Sequence, residues 1–438
     1  MARFTSETRS GLTIVPDMPI CQQDLPLDWY QDEFRPYAEE YLALPDRLPE
    51  TVLPWMDRYI EPALDHFGPS LMLLAHYYMG GEIVKLVERY GGRIADSYEL
   101  ALQTVERPDV RVFVESAVHF MAESIAILAS ADQTVWITNP KSGCTMEMMA
   151  KDWMIEPVFD ELESRYGDDF LMIAYMNTSG RVKALAGRTG GSVCTSGNAE
   201  SVVRWALRQG RRIFFVPDRH LGEVVAGWAG IPRDAQFVWS EPTVRRTLAE
   251  FSTTELARLD AAQMILWGSY CGVHTVFRPE HVRHWQEEGF RVLVHPECPK
   301  PVVDIADGAG STKYLWNEVM QAPSGSRLAI ATEGHFVRNA REQGALRGVE
   351  IVNVADAPGM NARGCGCATM SRNDPPHLVA ILDLLRRGTP PDLNRVLPGD
   401  VVDEATGRRE RLSTAERDEM VIHAKSALTR MIEITRAA

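Results

Sequence analysis

Cysteine is scarce in this 438-residue chain: there are seven, an odd number, scattered between positions 21 and 367. Such usage argues against a disulfide framework and leaves metal ligation or reactive thiols in a reducing compartment. Basic charge is in deficit too. Lys and Arg total 46 against 60 Asp and Glu, a net charge of -14, which argues against a broad basic surface for nucleic acid or anionic membrane. Any anionic ligand must then be held locally. No uninterrupted apolar run reaches about 18 residues, the span of a membrane helix, and the opening stretch MARFTSETRSGLTIVPDMPICQQD has no apolar segment of signal-peptide length. The expectation is a cytoplasmic protein that engages neither membrane nor nucleic acid. Disorder does not fit a chain that is 45% hydrophobic and 24% charged.

What the chain does have is a repeat. LMLLAHYYMGGEIVKLVERYGGRIADSYELA (71–101) has a counterpart in FLMIAYMNTSGRVKALAGRTGGSVCTSGNAESVV (170–203) and a shorter one in RVLVHPECPKPVVDIADGAGSTKYLWNEV (291–319). Each reads as a buried apolar strand, a polar residue at its end, a helix, and a serine opening another helix. His76 precedes Ser97 by 21 positions, Tyr175 precedes Ser196 by 21, and His295 precedes Ser311 by 16. The pattern continues with a second strand before a helix-opening histidine, at His119, His220 and His335. A third strand then leads to a cysteine: Cys144, Cys271, and either Cys365 or Cys367. The predicted fold is α/β, with three homologous αβα modules, each holding a small parallel sheet, in a pseudo-threefold arrangement. The predicted segments are an N-terminal extension over 1–70, modules over 71–147, 148–274 and 275–372, and a helical tail over 373–438.

Parallel strands joined through helices point their carboxyl ends to one rim, where open α/β sheets bind ligands. Rims facing a common axis would bring His76, Tyr175 and His295 together, with Ser97, Ser196, Ser311 and one cysteine per module. Serines at helix N-caps satisfy backbone N–H groups, and several such helix ends facing one centre would hold a small dianion such as phosphate or carboxylate. The three cysteines lack the close pairing of zinc-finger ligands. They suit an iron-sulfur cluster with one iron free of protein ligands and open to substrate as a Lewis acid; a buried structural thiol is the competing reading for each one taken singly. Cys21, Cys194 and Cys298 fall outside the equivalent positions and are read as non-ligands.

In this order HYYMGGEI, ADSYELA, VHFMAES, KSGCTM, YMNTSGRVKA, CTSGNAESVV, PDRHLG, WGSYCGVH, HPEC and GSTK closely resemble the motifs of the quinolinate synthase family, from about residue 71 to 373. The resemblance implies three αβα modules around a central [4Fe-4S] cluster. It also implies condensation of iminoaspartate with dihydroxyacetone phosphate to quinolinate, with loss of phosphate and water, in NAD biosynthesis. Carried over by motif, the cluster ligands are Cys144, Cys271 and Cys367, the last chosen over Cys365 by its distance from Met370 and Asn373. The implied catalytic residues are Glu297, His295, Tyr78 and His76. The implied substrate-binding residues are His76, Ser97, Tyr175, Asn177, Ser196, His295, Glu297, Ser311 and Thr312. The implied partners are the two small-molecule substrates and an L-aspartate-oxidising enzyme supplying the imine.

The chain departs from the family pattern in places. Gly81-Glu82 replaces a Pro-Glu pair, Thr275 replaces an acid after CGVH, and GCGCATMSRN lacks a lysine near its methionine. A GRTGG-like stretch before SVCTS reads as extra, as does a charged, helix-like insert at about 240–263. These leave room for a paralogous [4Fe-4S] condensing enzyme or lyase acting on a related imine and triose. A cluster-binding sensor, or zinc in place of iron, are weaker alternatives.

Overall fold

The computed structural model describes residues 12, 14, 20, 24–80, 82–240, 246–358, 366–403 and 408–438. Cys21, Gly81, Cys365 and the first part of the 240–263 insert lie outside the described residues. The chain forms two compact units. One comprises Met1–Gly143, Gly334–Asn339 and Gly366–Arg411, the other Cys144–Glu333, Ala340–Cys365 and Leu412–Ala438.

The first unit holds one sheet, built from β1 (Leu71–His76), β2 (Arg93–Ala95), β3 (Val112–Ser116) and β4 (Thr134–Ile137). Its order is β2-β1-β3-β4 and every pair is parallel. All six residues of β1 are buried, because helices cover both faces of a parallel sheet. Met72, Leu74, Phe113, Val135 and Ile137 pack with Ala122 and Ile125 of the helix His119–Leu128. Each large side chain so buried stabilises the fold by roughly 1.5–3 kcal/mol. The described part of the N-terminal extension joins this unit, where helix Pro49–Phe67 packs on helix Pro375–Arg386. Tyr37 donates its hydroxyl to Asp383 at 2.6 Å and Tyr30 stacks on His377.

The second unit holds two sheets. β5 (Phe170–Tyr175), β6 (Ser192–Cys194), β7 (Arg212–Val216), β8 (Gln236–Trp239) and β9 (Met264–Trp267) run in the order β6-β5-β7-β9-β8. β10 (Arg291–Val294), β11 (Gly308–Ala309), β12 (Arg327–Ala331) and β13 (Glu350–Asn353) run in the order β11-β10-β12-β13. All these pairs are parallel as well. The repeat seen in the sequence is therefore a repeat of sheet order, with β8 added at one edge of the middle copy.

Two details depart from the sequence reading. The GRTGG stretch is no addition: Gly190 (φ 69°) and Gly191 make the same helix-to-edge-strand turn as Gly91 (φ 79°) and Gly92. A Cβ on Gly191 would lie 1.9 Å from the Met172 carbonyl oxygen, and one on Gly92 2.7 Å from that of Leu73, so the pair is glycine by steric necessity in both copies. The described part of the insert contains helix Thr253–Ala261, as expected, started by a Ser252/Glu255 capping box. The edge strand β8 just before it was not expected.

Candidate functional site

In the second unit the chemistry gathers at the carboxyl ends of β5, β9 and β10. Tyr175 closes β5. The chain leaving β9 turns at Cys271 and enters a short 3-10 turn, His274–Val276, while β10 runs directly into His295 and Glu297. The Tyr175 hydroxyl donates to Glu297 Oε1 at 2.5 Å, and His274 Nδ1 lies 2.8 Å from Glu297 Oε2. His274 and His295 stack with ring centroids 4.6 Å apart, and His295 Nδ1 is 4.0 Å from Glu297 Oε2. The Glu297 N–H points at His295 Nδ1 at 3.4 Å, which leaves His295 Nε2 to donate to the Ser196 hydroxyl at 3.2 Å. His274, His295 and Glu297 are all buried.

Electrostatics separates the acids. Burial pushes the Glu297 carboxyl up, but the bond from His274, the charges of both histidines and the Tyr175 hydroxyl together bring it down to about 2. Asp218, fully buried one element away, is held well above the usual carboxylate range by burial and by the Glu297 charge. The Cys271 thiol is also pushed well up, by burial, by Glu297 and by Cys144. Asp218 Oδ1 caps helix Arg219–Ala229 through the Leu221 N–H at 2.8 Å, and its Oδ2 accepts the Cys271 N–H at 3.1 Å. One buried carboxyl thus fixes both a helix start and the backbone of the cysteine turn. So dense a set of buried anion-forming groups suits a bound cation.

In the first unit, His76 is buried, its Nδ1 accepts the Tyr78 N–H at 3.2 Å, and the two rings meet edge to face at 4.9 Å. Cys367 Sγ is 3.2 Å from Thr369 Oγ1, and Ser371 returns both its N–H and its hydroxyl to the Cys367 carbonyl. Asn373 and Ser142 tie this segment to the loop at 138–142: Thr138 donates to Asn373 Oδ1 at 2.5 Å, and Ser142 donates to the Thr369 carbonyl at 2.8 Å. Glu82, the acid retained beside Gly81, is buried and paired with Lys85 and Arg338.

The second unit thus brings together Tyr175, Ser196, Cys271, His295 and Glu297 from the sequence-derived set. Asn177 is half-buried just past Tyr175. Ser311 caps its helix by accepting the Tyr314 N–H at 3.3 Å, with Thr312 buried beside it. The expected cap role fails at two other serines. Asp96 is the residue that caps helix Ser97–Glu106: its carboxylate accepts the Glu99 N–H, and Ser97 is the first helical residue. Asn198 precedes helix Ala199–Arg208 and turns its Oδ1 back to the Thr195 N–H at 2.6 Å, so Ser196 sits in the turn and meets His295 instead. Cys144, Cys271 and Cys367 are each partly exposed, whereas Cys194 and Cys298 are buried and their thiols are raised by desolvation.

Two central residues were not singled out from the sequence. His274 stands three positions after Cys271, a spacing that places both on one side of a tight turn. Asp218 reads in sequence as nothing more than a helix cap.

A profile of the family described as "Quinolinate synthetase A protein" matches residues 65–398. A quinolinate synthase of Bacillus velezensis is 34% identical over 359 residues, 82% of this chain and 92% of that protein. One from Geobacillus kaustophilus is 36% identical over 352 residues, covering 80% and 90%. One from Corynebacterium glutamicum is 32% identical over 412 residues, covering 93% and 94%.

Proposed function

Because the chain belongs to the quinolinate synthase family of enzymes, we propose that it condenses iminoaspartate with dihydroxyacetone phosphate to quinolinate, releasing phosphate and two waters. Atoms balance in that conversion without an oxidant, so what the chain must supply is binding, proton transfer and exclusion of water. The observation that carries the reading is the Tyr175–Glu297–His274–His295 cluster: an ionised, buried carboxylate held between two imidazoles and a phenol. A proton shared between Glu297 Oε2 and His274 Nδ1, 2.8 Å apart, can be given up or taken back during tautomerisation and dehydration. His295, fixed by Ser196, orients a substrate oxygen or nitrogen beside it.

The helix beginning at Thr312 turns its positive N-terminal end toward the Ser311 cap, a place for a carboxylate or phosphate. His76, Tyr78, Ser97 and Asn177 are assigned to substrate binding on the family motif, with His76 and Tyr78 also in the chemistry. Cys144, Cys271 and Cys367 would hold a [4Fe-4S] cluster, the donor set being three partly exposed thiols that suit iron, and when bound it would supply an iron open to substrate as a Lewis acid. Because the imine is labile in water, an aspartate-oxidising enzyme is the partner that would supply it.

The test is Glu297→Gln. The variant keeps the shape of the side chain and should retain the cluster's visible absorption while kcat falls by about 100- to 10,000-fold. Unchanged turnover would remove Glu297 from the mechanism.

A further inference from the structure

Cys271, His274 and Glu297 present one sulfur, one nitrogen and one oxygen donor, all within 4.8 Å of one another and all inside the second unit. Ligand bonds of about 2.0–2.3 Å set tetrahedral donor atoms roughly 3.3–3.8 Å apart around zinc. His274 Nδ1 stands 3.2 Å from Cys271 Sγ and 2.8 Å from Glu297 Oε2. These two separations need to open by only about half an ångström to admit an ion, and the third pair, Cys271 Sγ and a Glu297 carboxylate oxygen, lies within 4.8 Å.

Each donor is also held from behind, as metal ligands usually are. His274 Nε2 is 3.1 Å from the Thr332 hydroxyl, which leaves Nδ1 to face the other two donors. Glu297 Oε1 takes the Tyr175 hydroxyl, which leaves Oε2 to face His274 Nδ1. The Cys271 backbone is fixed by Asp218. Thr332 is in turn anchored where its carbonyl accepts from Asn353.

We infer that in the cluster-free chain Cys271, His274 and Glu297 form a mononuclear site for a divalent cation of the zinc class, with its fourth position open to water. Soft sulfur, imidazole and carboxylate together select zinc or cobalt over magnesium or calcium. This site uses one cysteine, so it stands apart from the three-cysteine cluster, yet both require Cys271. The two occupancies exclude each other, and a zinc-loaded chain cannot accept a cluster until the ion is removed. Zinc then acts as a gate on maturation of the enzyme.

The experiment uses the full-length chain, stripped of metal with a chelator and titrated anaerobically with Co2+. The expected result is one ion per chain, with a thiolate-to-cobalt charge-transfer band and tetrahedral d–d bands that Zn2+ abolishes. The charge-transfer band should vanish in Cys271→Ala and persist in Cys144→Ala and Cys367→Ala. His274→Gln and Glu297→Gln should lose the tetrahedral bands. Thr332→Val, which removes only the hydroxyl behind His274, should weaken cobalt binding about 10- to 100-fold.

Zinc added before iron and sulfide should block growth of the cluster's visible absorption, and a chelator should restore it. The inference is overturned if no thiolate band forms, if the band requires Cys144 or Cys367, or if the tetrahedral bands survive loss of both His274 and Glu297. Cobalt bands in a chain that never assembles a cluster would leave this site standing and overturn the three-cysteine reading instead.

Discussion

Burial alone would drive the Glu297 carboxyl toward its neutral form; two imidazoles and a phenol reverse the sign and hold it ionised. Glu115 is the opposite case. It lies on β3, in register with Leu74 and Ile137, is fully buried, and neither carboxyl oxygen has a hydrogen-bond partner among the described residues. Burial raises it well above the ordinary carboxylate range. A raised folded-state pKa means the protonated form favours folding below the unfolded value, and that this stability is lost as pH rises toward the folded value. Glu115→Leu should therefore stabilise the chain by about 1–3 kcal/mol, with a larger gain at about pH 8 than at about pH 5. Urea midpoints at the two pH values measure this, and an equal or negative change would mean that the carboxyl has a partner. At this scale the strand-end residues Tyr175, His295 and Glu297 were legible, because a polar group ending an apolar run stands out. His274 and Asp218 were not, because their importance comes from contacts between segments far apart in sequence.

Among the elements, the C-terminal helix Thr414–Ala437 depends on one glycine. It packs on helix Gly180–Arg188 so closely that a Cβ on Gly187 would lie 2.0 Å from the His423 carbonyl oxygen. Backbone cannot yield as a flexible side chain does. Gly187→Ala should cost about 1–3 kcal/mol, read as a lower Tm; an unchanged Tm would show that the helices part without penalty. The long strands and the helices after His119, His220 and His335 could be read from the sequence because each carries a strong apolar pattern. The edge strands β2, β6 and β11 could not, being only two or three residues long. β8 escaped notice because QFVW is short and borders a charged insert. The cap assignment at Ser97 failed because the neighbouring Asp96 takes the Glu99 N–H, and that at Ser196 because the chain does not enter the helix until Asn198, whose side chain turns back to the Thr195 N–H; sequence alone does not choose between such neighbours.

Across the whole molecule, each unit is assembled from three separate stretches of chain, so neither could have been delimited by scanning for linkers. The threefold repeat survives as three parallel sheets of matching order. Among the described residues no helix is long and apolar enough to cross a membrane. The net charge of -14 makes local capture, by helix ends and imidazoles, the workable route for any anionic ligand.

The central claim is the condensation itself. Its most direct test is to reconstitute the cluster anaerobically, add freshly generated iminoaspartate with dihydroxyacetone phosphate, and follow quinolinate by mass spectrometry. The account predicts product from the reconstituted chain and none from Cys271→Ala. A chain that shows the cluster's full absorption yet forms no quinolinate would contradict it.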